Sequence, residues 1–232
     1  MIIGLTLLIG ASSFNKFQNP SYGKWKSLFD GKTTKGWKGY NQDGIPKSWK
    51  VVDGVLEMNP EFDAQGKEIN NGDLVTLKDY KDFELELDWK ISKNGNSGIM
   101  FNVIEDPKFG APYLTGPEIQ ILDNEGHPDG KIHKHRAGDL YDLIPCTKET
   151  VKSVGEWNHV RFISNQGHLK IYLNGFLSVE TQMHNGDWDL LVAGSKFRQW
   201  PEFGKSDHGK ICLQDHECKV SFKNIRIREI AN

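Results

Sequence analysis

DFELELDWKI, residues 82–91, sets Phe83, Leu85, Leu87 and Trp89 in strict alternation with Glu84, Glu86 and Asp88. Successive side chains of a β-strand leave opposite faces of its sheet, so this stretch is a strand with one apolar and one acidic face. Such a strand cannot bury its apolar face alone. Further segments of the same kind follow the length of the chain: SWKVVDGVLEMN (48–59), SGIMFNVI (97–104), PEIQILD (117–123), EWNHVRFISN (156–165), HLKIYLNG (168–175), FLSVETQM (176–183), GKICLQDH (209–216) and CKVSFKNIRIREI (218–230). All are short, rich in β-branched and aromatic residues, and bounded by Gly, Asn, Asp or Pro. Asp53-Gly54 and Asn174-Gly175 lie between alternating runs and predict tight hairpin turns. In DWDLLVAGSKFRQW (187–200) the apolar residues fall at helical spacing, with Asp187 as N-cap and Pro201 beyond the end, which predicts one short helix. Many strands and one minor helix imply two packed antiparallel sheets.

At 232 residues the chain is long enough for one sandwich with a sizeable core, and residues 21–232 are read as a single domain. The 29 basic and 31 acidic residues nearly balance, which excludes a nucleic-acid or anionic-membrane footprint and favours a neutral ligand. Residues 1–20 open with the apolar MIIGLTLLIGA and turn small and polar. That run is too short to span a membrane and suits an export signal, or else an apolar N-terminal segment, and gives the expectation of a periplasmic or secreted protein. Cys146, Cys212 and Cys218 are an odd number; Cys212 and Cys218 are spaced to pair across a hairpin, and free thiols are the expected state. Phosphate-binding glycine loops, a GxSxG elbow and CxxC pairs are all absent from the sequence, so the field narrows to sugars or peptides.

Three clusters carry reactive groups. Glu84 and Glu86 resemble in spacing the carboxylates of two-carboxylate glycosidases, although any half-buried strand with a wet face shows the same alternation. The second cluster, PEIQILDNEGHPDGKIHKHRAGDLYD (117–142), sets Glu118 and Gln120 on one strand face with Asp123 at its end, then brings His133, His135, Arg136, Tyr141 and Asp142 on a loop. Imidazoles and carboxylates are acids and bases near neutral pH, and an arginine stabilises a developing oxyanion. His133 and His135, with Glu118 or Asp123, also form a donor set compatible with a divalent metal ion. The third cluster is LQDHE (213–217), with Gln214 and His216 on one face. Trp49, Trp157, Trp188, Trp200 and Tyr113 are candidate platforms for a sugar ring, of which Trp200 is the best placed to be exposed.

Taken in order, SLFDGKTTKGW, NSGIMF, GPEIQILD, HRAGDLYDL, GEWNHVRF, YLNG, LQDH and FKNIRIREI resemble the motifs of the bacterial 3-keto-disaccharide hydrolases, a family first catalogued as a domain of unknown function. The resemblance runs from about Lys24 to Ile230. It implies a concanavalin A-like jelly-roll sandwich, export, and a 3-keto-glycoside substrate supplied by a partner dehydrogenase that oxidises sugar C3. A 3-ketone acidifies the C2 hydrogen, so the implied chemistry is proton abstraction at C2, β-elimination at C1, and hydration to net hydrolysis. On this basis Glu118 or His135 is the expected base, Arg136 and Gln120 face the ketone or its enolate, and His216 or Tyr141 is the acid. Asp123, Asp142, Lys196, Trp200 and Gln214 are the expected substrate contacts, and a divalent ion on Glu118 and a histidine is an alternative electrophile. The family motif continues LQDH with glycine, where this chain has Glu217 and Cys218. A non-catalytic carbohydrate-binding sandwich and a two-carboxylate glycosidase stand as the competing readings.

Overall fold

The computed structural model describes residues 20–231. Sixteen strands follow in chain order: β1 Ser21–Tyr22, β2 Lys26–Ser27, β3 Trp37–Gly39, β4 Trp49–Val52, β5 Val55–Met58, β6 Glu61–Phe62, β7 Glu68–Ile69, β8 Leu74–Thr76, β9 Phe83–Ile91, β10 Asn96–Val103, β11 Glu118–Leu122, β12 Asn158–Asn165, β13 His168–Leu173, β14 Phe176–Gln182, β15 Lys210–Leu213 and β16 Val220–Ala231. A nine-stranded antiparallel sheet runs β14-β13-β12-β9-β16-β5-β4, with β1 and β2 added on β16. A five-stranded sheet runs β11-β10-β15-β8-β3. Neighbours in these sheets are mostly distant in sequence, as in the jelly-roll architecture.

The alternation in β9 sorts its residues as the pleat demands. Phe83, Leu85, Leu87 and Trp89 are fully buried between the sheets, each contributing roughly 1.5–3 kcal/mol by removal from water. Phe101 of β10 meets Phe162 of β12 across the core at 4.5 Å between ring centroids. The acidic row lies on the outer face of the large sheet. Glu84 is held there by Arg161 and Arg228, Glu86 by Arg226, and Asp88 by His159 at 2.8 Å and Asn224 at 2.6 Å. With every carboxylate already neutralised or bonded, this row is an ion-pair ladder, not an acid and base facing a scissile bond.

Asp53-Gly54 and Asn174-Gly175 adopt positive φ at both residues (49° and 80°; 51° and 86°), the geometry of primed hairpin turns. The predicted helix over 187–200 divides in two. Helix α1 spans Gly186–Ala193, and its N-cap is Asn185, whose Oδ1 accepts from Trp188 N at 2.8 Å, not Asp187. The chain breaks at Gly194, and Ser195 Oγ caps a separate 3-10 turn, Lys196–Gln199. A serine that caps a following turn ends the first helix, an effect that apolar spacing does not register. All three cysteines are free thiols. The apolar segment read as an export signal lies outside the described residues, apart from Pro20, and among those described no helix is long and apolar enough to cross a membrane.

Candidate active site

The outer face of the five-stranded sheet carries a polar floor. Glu118 and Gln120 of β11 point outward because Ile119 and Ile121 take the core. On the adjacent strand Gly98 stands opposite Gln120, and Gln214 N donates to Gly98 O at 3.0 Å from the other side. A Cβ at position 98 would fall 1.9 Å from Glu118 Oε1, so the missing side chain is the space in which the carboxyl lies. Asn96, two residues back on the same face, and His216, two residues past Gln214, complete the floor.

Two walls rise from it. The loop after β11 folds back along that edge: Gln120 N donates to Asp139 O at 3.0 Å, Gly138 N to Gln120 O at 2.9 Å, and Tyr141 N to Glu118 O at 2.9 Å. These bonds satisfy the edge strand and place Tyr141 beside Glu118. The second wall is Lys196, Phe197, Gln199 and Trp200 from the turn after α1, with Tyr113 from the 3-10 turn Pro112–Leu114. Lys196 N donates to Asp142 Oδ2 at 2.7 Å, and the Lys196 ammonium sits 4.1 Å above the Tyr141 ring. The cleft enclosed is about 330 Å³, within the range of small-molecule sites.

Burial pushes the Glu118 carboxyl up to about 8; the Lys196 ammonium opposes that shift, while Asp73 and Asp129 add to it. Burial also raises the Tyr141 phenol well above its ordinary value, reinforced by Asp129 and Glu118. Asn96 Oδ1 and Gln214 Oε1 are buried without a hydrogen-bond partner at the cleft lining. Buried amides left unpaired cost free energy and mark places where a ligand supplies the partner.

Several residues singled out in the sequence do converge here: Glu118, Gln120, Tyr141, Lys196, Trp200, Gln214 and His216 all line the cleft. Four others do not. Asp123 Oδ1 and Oδ2 accept from Glu125, Gly126 and Asn94 backbone nitrogens and fasten a turn. Arg136 turns away to Gly130 O and Glu149, so it cannot serve an oxyanion in the cleft. His135 stands behind Tyr141 at 4.4 Å between centroids, its Nδ1 3.3 Å from Asp129 Oδ2 and its Nε2 3.2 Å from Asp142 Oδ1. Asp142 thus joins the wall from behind, through His135 and Lys196 N. Both His135 nitrogens being engaged, it is not free to act as a base on a bound sugar.

Sequence reasoning missed Asn96, Phe197, Gln199, Asp73 and Asp129. Asp129 Oδ2 accepts from Tyr141 Oη at 3.2 Å, which leaves the phenol oxygen presenting lone pairs to the cleft. The available signal for Asn96 was its period-2 spacing from Gly98, blurred by the polar Ser97 and Asn102 of the same strand. Among the described residues no group of three or more His, Cys, Asp and Glu side chains is arranged to hold a metal ion. His133 is exposed and His135 is spoken for, so the donor set expected around Glu118 does not assemble. At Glu217 the backbone takes φ 54°, the left-handed conformation a glycine would adopt, so the turn that aims His216 survives the substitution at a cost of about 1–2 kcal/mol.

The sequence profile of the 3-keto-alpha-glucoside-1,2-lyase-like domain matches residues 24–228. The chain belongs to that family. A relative named 3-keto-disaccharide hydrolase, from Bacteroides thetaiotaomicron, is 35% identical over 87% of this chain and 77% of its own length. A crystal structure from Parabacteroides distasonis ATCC 8503 is also 35% identical, with a TM-score of 0.79 over 89% of this chain and 94% of the other. A β-agarase B crystallised with agaro-octaose shares the fold alone, at 13% identity and a TM-score of 0.51 over 90% of this chain and 85% of its own. In this member of the family, the matched region contains the whole cleft, from Asn96 to His216.

Proposed function

We propose that the protein cleaves the glycosidic bond of 3-keto-glycosides, 3-keto-disaccharides among them, by elimination followed by hydration. Family membership and the 35% identical 3-keto-disaccharide hydrolase support the substrate class. The observation that carries the mechanism is a buried carboxyl, Glu118, whose affinity for a proton is raised to about 8, on the floor of a cleft of about 330 Å³. A carboxylate with that proton affinity is a far stronger base than an exposed one, as abstraction of a carbon-bound hydrogen requires.

Glu118 takes the C2 proton, the ketone oxygen accumulates the enolate charge, and the Lys196 ammonium stabilises it, while the unpaired amide oxygens of Asn96 and Gln214 accept from sugar hydroxyls. The enolate electrons then form the C1–C2 double bond as the C1–O pair departs with the leaving group. His216, exposed at the cleft's edge, donates the proton to the leaving oxygen; Tyr141 is assigned the acceptor role because its own proton goes to Asp129. Water then adds at C1, and Glu118, its proton exchanged with solvent, protonates C2. A typical acid or base supplies about 10²–10⁴-fold in rate.

Export to the periplasm or exterior, and a partner dehydrogenase that installs the ketone, complete the reading. The test is incubation in D2O with a 3-keto-disaccharide and, separately, its unoxidised parent. Elimination and rehydration place deuterium at C2 of the released sugar in a single turnover and leave the parent intact. Release without label would instead indicate direct displacement at C1, and binding of both sugars without turnover would indicate a lectin.

A further inference from the structure

The rings of the second wall form a stair. Phe203 and Phe197, both buried, stack face to face at 3.8 Å; Trp200 lies 5.5 Å from Phe197, and Tyr113, 42% exposed, lies 5.3 Å from Trp200. Phe197, Trp200 and Tyr113 line the same cleft as Glu118, and of the three Phe197 is buried and Tyr113 is exposed. A sugar that presents C2 to Glu118 occupies the floor, so the group on C1 extends toward the mouth and meets Trp200 and Tyr113. Each of these two rings offers an aromatic surface at the cleft lining.

We infer that Tyr113 and Trp200 form a leaving-group subsite for a flat ring, and that aryl 3-keto-glycosides are substrates of this enzyme alongside disaccharides. This rests on the 3-keto-glycoside reading of the Glu118 floor. Stacking of an aromatic leaving group on such a pair contributes about 0.5–1.5 kcal/mol beyond area burial, whereas a small alkyl group reaches neither ring. The chemistry points the same way. The Glu118 carboxylate takes the C2 proton, the C1–O bond breaks, and the electron pair leaves on a phenolate, which needs less help from an acid than a sugar alkoxide.

The experiment measures kcat/KM for phenyl, methyl and glucosyl 3-keto-glucosides of one anomeric configuration, with wild type, Tyr113→Ala, Trp200→Ala and Trp200→Phe. In wild type the phenyl glycoside exceeds the methyl glycoside. In Tyr113→Ala and Trp200→Ala the phenyl-to-methyl ratio falls about tenfold, chiefly through KM for the phenyl substrate. Trp200→Phe, which keeps a ring, retains at least half of the wild-type ratio. A ratio that stays at its wild-type value in both alanine variants overturns the subsite, even with all three substrates turned over. If none of the three is turned over by wild type, it is the 3-keto-glycoside reading itself that fails. Tyr113 is on the surface, so its substitution tests the subsite without depending on the fold.

Discussion

Replacing Glu118 by glutamine should stabilise the protein while it abolishes activity, and the gain should depend on pH in a way that identifies the group. The free carboxyl titrates near 4.5 and the buried one near 8. Between those values the unfolded chain has lost the proton and the folded chain keeps it. A raised folded value means that stability is greatest below pH 4.5 and declines up to pH 8, by about 1.4 kcal/mol per pH unit and about 5 kcal/mol in all. The amide in Glu118→Gln has no charge to bury, so the variant lacks that decline. The difference in melting temperature between variant and wild type should therefore widen by on the order of 10 °C from pH 5 to pH 9. Glu68, pushed by burial to about 7, is common to both proteins, whereas Asp73, also at about 7, and Lys196 interact with Glu118, so the subtraction reports Glu118 together with its coupling to these two groups. Parallel melting curves, offset by a constant amount across that range, would refute the assignment of a proton-holding carboxyl at the cleft floor.

The remaining predictions use the same geometry. The rate with a 3-keto-glycoside should rise with pH through about 8 as Glu118 loses its proton, and Asp129→Asn should move that limb to lower pH by removing a nearby negative charge; an unmoved limb in the pH–rate profile would remove Asp129 from the electrostatics of the site. Gly98→Ala places a methyl group where Glu118 Oε1 lies, and displacing the base by about 1 Å should cost roughly 10²-fold in kcat with circular dichroism retained. Glu84→Gln leaves Arg161 and Arg228 facing one another without their shared carboxylate, and should cost about 3–5 kcal/mol in urea unfolding. That variant's kcat per folded molecule should equal wild type, which a two-carboxylate glycosidase through Glu84 would not allow.

How far the sequence was legible depended on whether the signal was local. β9 and β12 show clean alternation because one face meets the core and the other meets solvent, and the two primed turns are written in Asp-Gly and Asn-Gly. β10 gave no such pattern, since all eight of its residues are buried, one face under the other sheet and one beneath the cleft and its surroundings. Glu118 and Gln120 were legible because they alternate with Ile119 and Ile121 on one strand, and Gln214 and His216 because they follow the apolar end of β15 with period-2 spacing. Asp129 was not, since its importance comes from folding of the 124–142 loop back onto the β11 edge, a contact no spacing encodes. The same loop explains Arg136: its position in the chain fits a site residue, but the turn that seats Tyr141 at Glu118 O sends the guanidinium to Gly130 and Glu149. The helix over 187–200 failed at one capping serine.

The notch at Gly98 has a consequence for how the base meets its substrate. Wedged over a bare Cα, the Glu118 side chain has few rotamers open to it even in the empty cleft, so little torsional freedom remains to be surrendered when a sugar arrives. In the proposed elimination, aim at the carbon-bound hydrogen is then a property of the folded sheet and not of the encounter, whichever group leaves from C1.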